Sequence, residues 1–300
     1  GMPIKIQIEK QFGKNLPTAE VQAKARAYAQ VQVDKQKKDF ERLGVLGDWN
    51  NPYLTMNYRN EADEIRALGK IWEKGYVFRG LKPVNWCFDC GSALAEAEVE
   101  YQDKTDPTVD VGFAFDDAQR PQLAKAFGLS ELPNKPGQIV IWTTTPWTLP
   151  SNLALAVNQE IDYILVKKNL ENQNFEFYIL AEALLKNYEK DFGLIEKITT
   201  FKGKELLGLK YKPLFPYFLK NLSKVGDIEN CFKILHGDFV SIEEGTGIVH
   251  IAPGFGEDDQ LLCKANGIPT ICPVDEAGKF NSKIGFIGKN NQVYYIKDDA

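Results

Sequence analysis

The chain has 300 residues, 44% hydrophobic and 26% charged, with a net charge of −5 at neutral pH. That composition supplies a substantial core, divided between two domains or between a domain and a flanking piece, and it excludes a disordered chain. No stretch approaches about 18 uncharged apolar residues, and the N-terminus lacks the basic-then-apolar order of a leader, so the expectation is a cytoplasmic protein with no membrane partner.

In chain order, residues 1–95 read as helical. Pro17-Thr18 opens a long charged segment that runs to Leu43 and stops at Gly44, and Asn60-Glu61 opens another that ends at Lys74-Gly75, with helix punctuation at both ends. Cys87-Phe88-Asp89-Cys90 follows. A CxxC pair is half a zinc site, and four ligands are normally needed. Cys231, Cys263 and Cys272 are isolated, and the odd total of five lacks the even framework of a secreted disulfide scaffold, so reduced thiols are expected.

From Glu96 onward the pattern changes to short strands punctuated by Gly and Pro: Val109 to Phe115, Gln138 to Thr143, Tyr163 to Lys167 and Phe175 to Leu180. Short helices interrupt them at Ala118 to Phe127, Ala181 to Tyr188 and Glu257 to Ala265. The fold class is α+β, with a domain over residues 96–300 built around a folded-over antiparallel sheet.

The densest chemistry lies in Trp142-Thr143-Thr144-Thr145-Pro146-Trp147-Thr148-Leu149-Pro150-Ser151-Asn152. Three consecutive hydroxyls follow the apolar run Gln138-Ile139-Val140-Ile141, and Pro146 breaks ladder pairing, so the threonines sit where a strand ends and side chains can turn toward a cleft. The plainer reading is an edge strand closed by a proline turn, since Thr and Trp both suit strands. A second block begins with the Gly245-Thr246-Gly247 turn, runs through an apolar strand to His250, and turns at Pro253-Gly254 into a helix that starts near Glu257. Glu257, Asp258 and Asp259 fill its first turn, where carboxylates also serve as caps and favour the helix dipole. A strand histidine is commonly a hydrogen-bonded core residue; His250 and His236 are the two in the chain.

The threonine run resembles, nearly letter for letter, the threonine-rich motif in the editing domain of the class I isoleucyl-tRNA synthetases. Valine and leucine enzymes usually carry Arg-Pro where this chain has Thr145-Pro146-Trp147. Gly1-Met2-Pro3-Ile4 resembles the end of a synthetic-domain segment, and Lys82-Pro83-Val84-Asn85-Trp86-Cys87 with Ser92-Ala93-Leu94-Ala95-Glu96-Ala97-Glu98-Val99-Glu100-Tyr101 resembles the entry to the editing insertion. Gly245 to Gly254 with Glu257-Asp258-Asp259 resembles the second editing block. The His-Ile-Gly-His and Lys-Met-Ser-Lys-Ser motifs that make the adenylate do not occur, so the resemblance implies a piece of a synthetase: residues 1–95 a strip of the Rossmann-type synthetic domain, residues 96–300 a β-barrel-like editing domain.

What the resemblance implies for function is hydrolysis of the aminoacyl ester of valine mischarged on tRNA(Ile). One methylene in an apolar pocket discriminates by only about 1–3 kcal/mol, a limit for which isoleucyl-tRNA synthetase is itself the standard case. By resemblance Thr143, Thr144, Thr145, His250 and Asp259 are the catalytic set, with Asp259 holding the α-ammonium and His250 excluding the larger side chain and orienting the ester. Trp142, Asn152, Gly247 and Asp258 are substrate-binding, Asp258 being the weaker candidate for the ammonium. Phe255 departs from the histidine of many bacterial relatives. An activated ester needs its carbonyl fixed, its amine seated and one water placed, without a covalent intermediate. Editing needs no cofactor; ATP and Mg belong to the parent enzyme, and some relatives complete a zinc knuckle with later cysteines. The remaining synthetase domains are the expected partners of a monomeric chain. The acidic balance predicts weak affinity for tRNA, despite local clusters at Lys35-Gln36-Lys37-Lys38, Lys167-Lys168 and Lys202 to Lys212. It also keeps open a noncatalytic recognition or scaffold fragment, while a free-standing editing protein fits the first 95 residues less well.

Overall fold

The computed structural model describes residues 2–171, 174–215, 217, 228–280, 286–287 and 293–294. The chain divides into two compact units, Gly1–Gly80 and Leu81–Ala300.

The first unit is helical, with α1 (Met2–Phe12), α2 (Thr18–Arg42) and α3 (Tyr58–Glu73). The second and third helices stop just before Gly44 and Gly75, as the sequence punctuation predicts. Their starts lack the side-chain caps expected: Pro17 and Asn57 occupy the N-cap positions, and neither side chain bonds a backbone amide. Arg26 organises this unit. Its guanidinium donates to Met56 O, pairs with Glu61 and lies 4.3 Å from the Tyr58 ring centroid, so one side chain ties α2 to α3 and its approach. On α3, Ile65, Leu68 and Trp72 recur at helical spacing with Ile71 beside them, and all four are exposed.

The second unit opens with the hairpin β1 (Asn85–Cys87) and β2 (Ser92–Leu94). This hairpin bonds forward within its own unit: Trp86 Nε1 donates to Glu276 O at 2.8 Å. Lys82, just ahead of it, pairs with Glu257 at 2.9 Å. The division between units thus lies earlier than the change of pattern at residue 95, because composition marks where strands become dense while compactness follows the contacts of residues 81–94.

Five strands form the main sheet: β3 (Val109–Ala114), β4 (Gly137–Thr143), β6 (Asp162–Asn169), β7 (Phe175–Ala181) and β8 (Ile195–Lys202), in the order β3-β4-β7-β6-β8. A smaller sheet in the order β10-β5-β9 is made of β5 (Ala154–Val157), β9 (Lys233–His236) and β10 (Val249–Ile251). α4 (Arg120–Ala126), α5 (Glu189–Phe192) and α6 (Glu257–Ala265) punctuate the strands, and β11 (Phe286–Ile287) pairs with β12 (Val293–Tyr294). Bridges Phe115↔Tyr211 and Lys210↔Lys233 link the edge beyond β3 to β9.

The fold is therefore α+β, as the sequence indicates, with two corrections. Among the described residues the strands do not close into a barrel. The sheets are also mixed rather than antiparallel throughout, since β4–β7 and β5–β9 run parallel. Parallel partners need a crossover rather than a tight hairpin, and β5 and β6 lie within the connection from β4 to β7.

Burial explains why the strands read as continuous apolar runs. Side chains alternate faces along a strand. Ile139, Ile141, Tyr163, Leu165, Phe177 and Ile179 join the main core with Leu155, Ile234 and Ile251 of the smaller sheet. Their neighbours Val140, Ile164, Val166 and Leu180 join a second cluster, covered by Leu185, Tyr188 and Phe192. A sheet buried on both faces loses the apolar-polar alternation of a half-exposed one.

Candidate functional site

The threonine run sits at the end of a buried strand. β4 ends at Thr143, and Pro146, which lacks an amide hydrogen, opens a 3-10 turn over Pro146–Ser151. The hydroxyls organise this corner. Thr143 Oγ1 accepts from Thr145 N at 3.1 Å and lies 3.3 Å from Thr145 Oγ1. Thr148 Oγ1 donates to Thr145 O at 2.9 Å and stands 2.7 Å from His250 Nε2. Thr143 and Thr148 are buried, while Thr144 and Thr145 are exposed.

The second block is locked onto the first. β10 pairs with β5, which places His250 opposite Leu155. Upstream, Gly245 and Gly247 take left-handed φ values of 71° and 73°. A Cβ on Gly247 would lie 2.5 Å from Ala181 Cβ, and one on Gly245 would lie 3.1 Å from the Trp142 indole, so this turn requires glycine for both conformation and space. Thr246 O accepts from Ala181 N at 2.8 Å and Gly247 O from Tyr163 OH at 2.7 Å, fixing the turn against β7 and β6. Beyond the strand, Ala252 N donates to Asp259 Oδ2 at 2.8 Å. The acidic triplet does not cap α6 with a side chain: Gly256 is the N-cap, and Asp259 reaches back past it to Ala252. The wall nearby is apolar, with Trp147 and Phe255 edge to face at 4.9 Å.

Burial perturbs both titratable groups of the site. His250 is held down at about 4 by desolvation, so it is neutral at pH 7. Asp259 is pushed up to about 6, chiefly by desolvation and further by the charge of Asp258, against the opposing bond from Ala252 N. A carboxyl so placed ionises close to the working range of an enzyme.

The hydrogen bonds join Thr143, Thr145 and His250 through Thr148, and Asp259 bonds Ala252, two residues beyond His250 on the same segment. Thr144 and Asp258 are exposed and stand outside this set. Trp142, Gly247 and Asn152 support it from the core side. Asn152 is buried, accepting from Tyr211 OH at 2.6 Å and donating to Ala154 O at 2.8 Å. Thr148 and Tyr211 were not singled out in the sequence, although Thr148 lies inside the run and its place two residues after Pro146-adjacent Thr145 was a usable signal. His236 serves structure: Nδ1 accepts from Gln159 N at 3.3 Å and Nε2 lies 3.0 Å from Asp238 Oδ1.

Cys87 and Cys90 come together at the hairpin tip, where Cys90 N donates to Cys87 Sγ at 3.2 Å and the thiols' mutual hydrogen bond lowers the Cys87 pKa. Among the described residues no third metal-ligating side chain joins them. Two thiols do not satisfy tetrahedral zinc, so the residues described do not fit a complete zinc site.

Residues 1–284 match the family described as tRNA synthetases class I (I, L, M and V), and the chain belongs to that family. Its curated relatives are isoleucine–tRNA ligases. That of Bordetella pertussis is 54% identical over 293 residues, covering 96% of this chain and 30% of the relative. Isoleucine–tRNA ligase 1 of Burkholderia pseudomallei is 53% identical with the same coverage. The chain thus spans about 30% of the length of these relatives. Solved structures similar to the chain include GlLeuRS-CP1, with a TM-score of 0.43 and 16% identity over 56% of this chain and 70% of that one. The editing domain of the P. knowlesi cytosolic leucyl-tRNA synthetase gives a TM-score of 0.39 and 15% identity over 54% and 64%.

Proposed function

We propose that the second unit of this chain hydrolyses the ester of valine mischarged on tRNA(Ile), within a longer isoleucine–tRNA ligase that acts in the cytoplasm. The observation that carries this reading is the hydrogen-bonded set Thr143–Thr145–Thr148–His250, followed two residues on by the amide that binds Asp259. It offers neutral hydroxyls for an ester carbonyl and a water, and one carboxylate for the α-ammonium. Water attacks the acyl carbon, the ester C–O bond breaks, and the proton passes to the ribose oxygen that leaves. Preorganised neutral donors act at the carbonyl as charge develops there, where removal of one commonly costs about 10²–10³ in rate. Among the described residues no nucleophile–base pair of the serine or cysteine type is assembled, which supports direct attack over an acyl-enzyme. Synthesis of the aminoacyl-tRNA, with its ATP and Mg, is left to other parts of the ligase. The exposed apolar side of α3, with Ile65, Leu68 and Trp72, is suited to pack against those parts.

The net charge of −5 supports a second reading, a recognition fragment that binds tRNA only within the complete enzyme. One assay separates them. The chain, at high concentration and low salt, is incubated with valyl-tRNA(Ile) and with isoleucyl-tRNA(Ile), and ester loss is followed for wild type and Asp259→Ala. Loss of the valyl ester alone, abolished by the substitution, is the expected result. Intact esters, under conditions where a complete isoleucine–tRNA ligase removes valine, would leave the second reading.

A further inference from the structure

The hydrogen bonds around Thr148 decide more than position. A threonine hydroxyl has one proton to donate and two lone pairs to accept with. Thr148 Oγ1 is 2.9 Å from Thr145 O, a carbonyl that can only accept, so the proton of Thr148 is spent there. The same oxygen lies 2.7 Å from His250 Nε2. With its proton committed, Thr148 can only accept from the ring, and Nε2 must carry the hydrogen. A neutral imidazole holds one N–H, so Nδ1 is left as a bare lone pair. His250 Nδ1 is buried and has no hydrogen-bond partner in the chain, on a residue that is 8% exposed. A buried acceptor without a partner costs free energy, and the chain supplies a donor to neither this atom nor an alternative protonation of it.

We infer that Thr148 is a positioning residue that locks His250 in the Nε2–H tautomer and so reserves Nδ1 as an acceptor for an O–H donor of the bound ester, the attacking water or the ribose hydroxyl beside the acyl group. Ordinary desolvation keeps the ring neutral, and Thr148 chooses which neutral form it takes. Thr148 itself touches no substrate in this account; it acts through the ring. The role at Nδ1 rests on the deacylase reading above, whereas the tautomer does not.

The first measurement is made on the full chain without substrate. Long-range proton–nitrogen correlation of the two histidine rings at neutral pH, assigned with a His236→Gln variant, is expected to show His250 protonated at Nε2 alone. Thr148→Val should lose that single-tautomer signature, and Thr148→Ser, which keeps the hydroxyl, should retain it. An Nδ1–H signal in the wild type, or an unchanged tautomer in a folded Thr148→Val, overturns the inference. The wild-type spectrum decides the matter if Thr148→Val does not fold. The second measurement is deacylation of valyl-tRNA(Ile). Thr148→Val should lower the rate about 10- to 100-fold and Thr148→Ser should stay within about threefold, in the range usual for a positioned acid–base partner. His250→Asn, whose amide oxygen can stand near Nδ1, should retain more activity than His250→Gln, whose amide stands near Nε2. The reverse order overturns the assignment of Nδ1. A wild type that holds the Nε2–H tautomer yet hydrolyses nothing refutes the deacylase reading and leaves the tautomer lock standing.

Discussion

Asp259→Asn should stabilise the protein while abolishing its hydrolysis, and the size of the gain should depend on pH in a defined direction. The Asp259 carboxyl is pushed from its ordinary 3.8 to about 6, first by burial and then by the charge of Asp258. A carboxylate whose folded pKa lies above its unfolded one reverses the usual case: between these values the native state holds a proton that the unfolded chain has released. Wild-type stability therefore falls as pH rises from about 4 to about 6 and levels off above that. At about 1.4 kcal/mol per pH unit, ionising Asp259 in the folded state costs at most about 3 kcal/mol, and its partial exposure reduces this to about 1–3 kcal/mol. Asparagine removes the charge and keeps an oxygen for the Ala252 amide. Urea unfolding of both proteins at pH 4 and pH 7.5 tests this. The variant should match wild type within error at pH 4 and exceed it by about 1–3 kcal/mol at pH 7.5. A variant no more stable than wild type at pH 7.5, or an advantage of equal size at both values, would refute the claim that burial of a charged Asp259 is the cost.

Deacylation should rise through about pH 6 as Asp259 ionises and then stay level, since His250, held at about 4, does not titrate in that range. Asp258→Asn should move the midpoint downward by removing a like charge; single-turnover rates between about pH 5 and pH 8 would show it, and an unmoved midpoint would count against that cause. Tyr211→Phe leaves the buried Asn152 Oδ1 without its 2.6 Å partner, and thermal or urea unfolding should show a loss of about 1–3 kcal/mol. Gly247→Ala forces a Cβ to within 2.5 Å of Ala181 Cβ at a φ of 73°, and should destabilise by about 2 kcal/mol or more. Ala181→Gly in the same chain should recover part of that loss; no recovery would mean that backbone strain, not the clash, dominates.

Where a single segment carried both signal and structure, the sequence was readable. Gln138 to Thr143 lies within β4 (Gly137–Thr143), and Glu257 to Ala265 matches α6 end for end, because a proline or glycine bounds an apolar or acidic run in each. Ala118 to Phe127 resolves into a 3-10 turn followed by α4, since Pro121 sits at the start of the regular helix. What was not legible depended on partners far along the chain. β5, Ala154–Val157, is buried at all four positions and shows no alternation, so nothing local separates it from the turn before it. β9 is too short to announce itself, and the parallel pairing of both strands is a property of the crossover rather than of either segment. In the site, the threonines, His250 and Asp259 were recognisable by type and order. The spending of Thr148's proton on Thr145 O was not, because it follows from the 3-10 turn that Pro146 opens.

Burial acts on His250 and Asp259 in the same sense, favouring the neutral form of each, yet it separates their roles. It moves the histidine out of the neutral pH range and brings the carboxyl to its edge. At pH 7 the site thus holds one anion, and the polar groups bonded around it, Thr143, Thr145, Thr148 and His250, are all uncharged. A ligand bearing an ammonium supplies the missing countercharge and gains from the same low polarity that makes the empty carboxylate costly. Binding and ionisation are then linked: an aminoacyl ester that pairs with Asp259 must lower its pKa in the complex. The pH midpoint of the single-turnover rate at saturating valyl-tRNA should lie below that of kcat/KM, which reports the free protein, by about half a unit or more. Coincident midpoints would mean that the ammonium does not meet Asp259, and the carboxylate would then have to be assigned to the ester or the water instead.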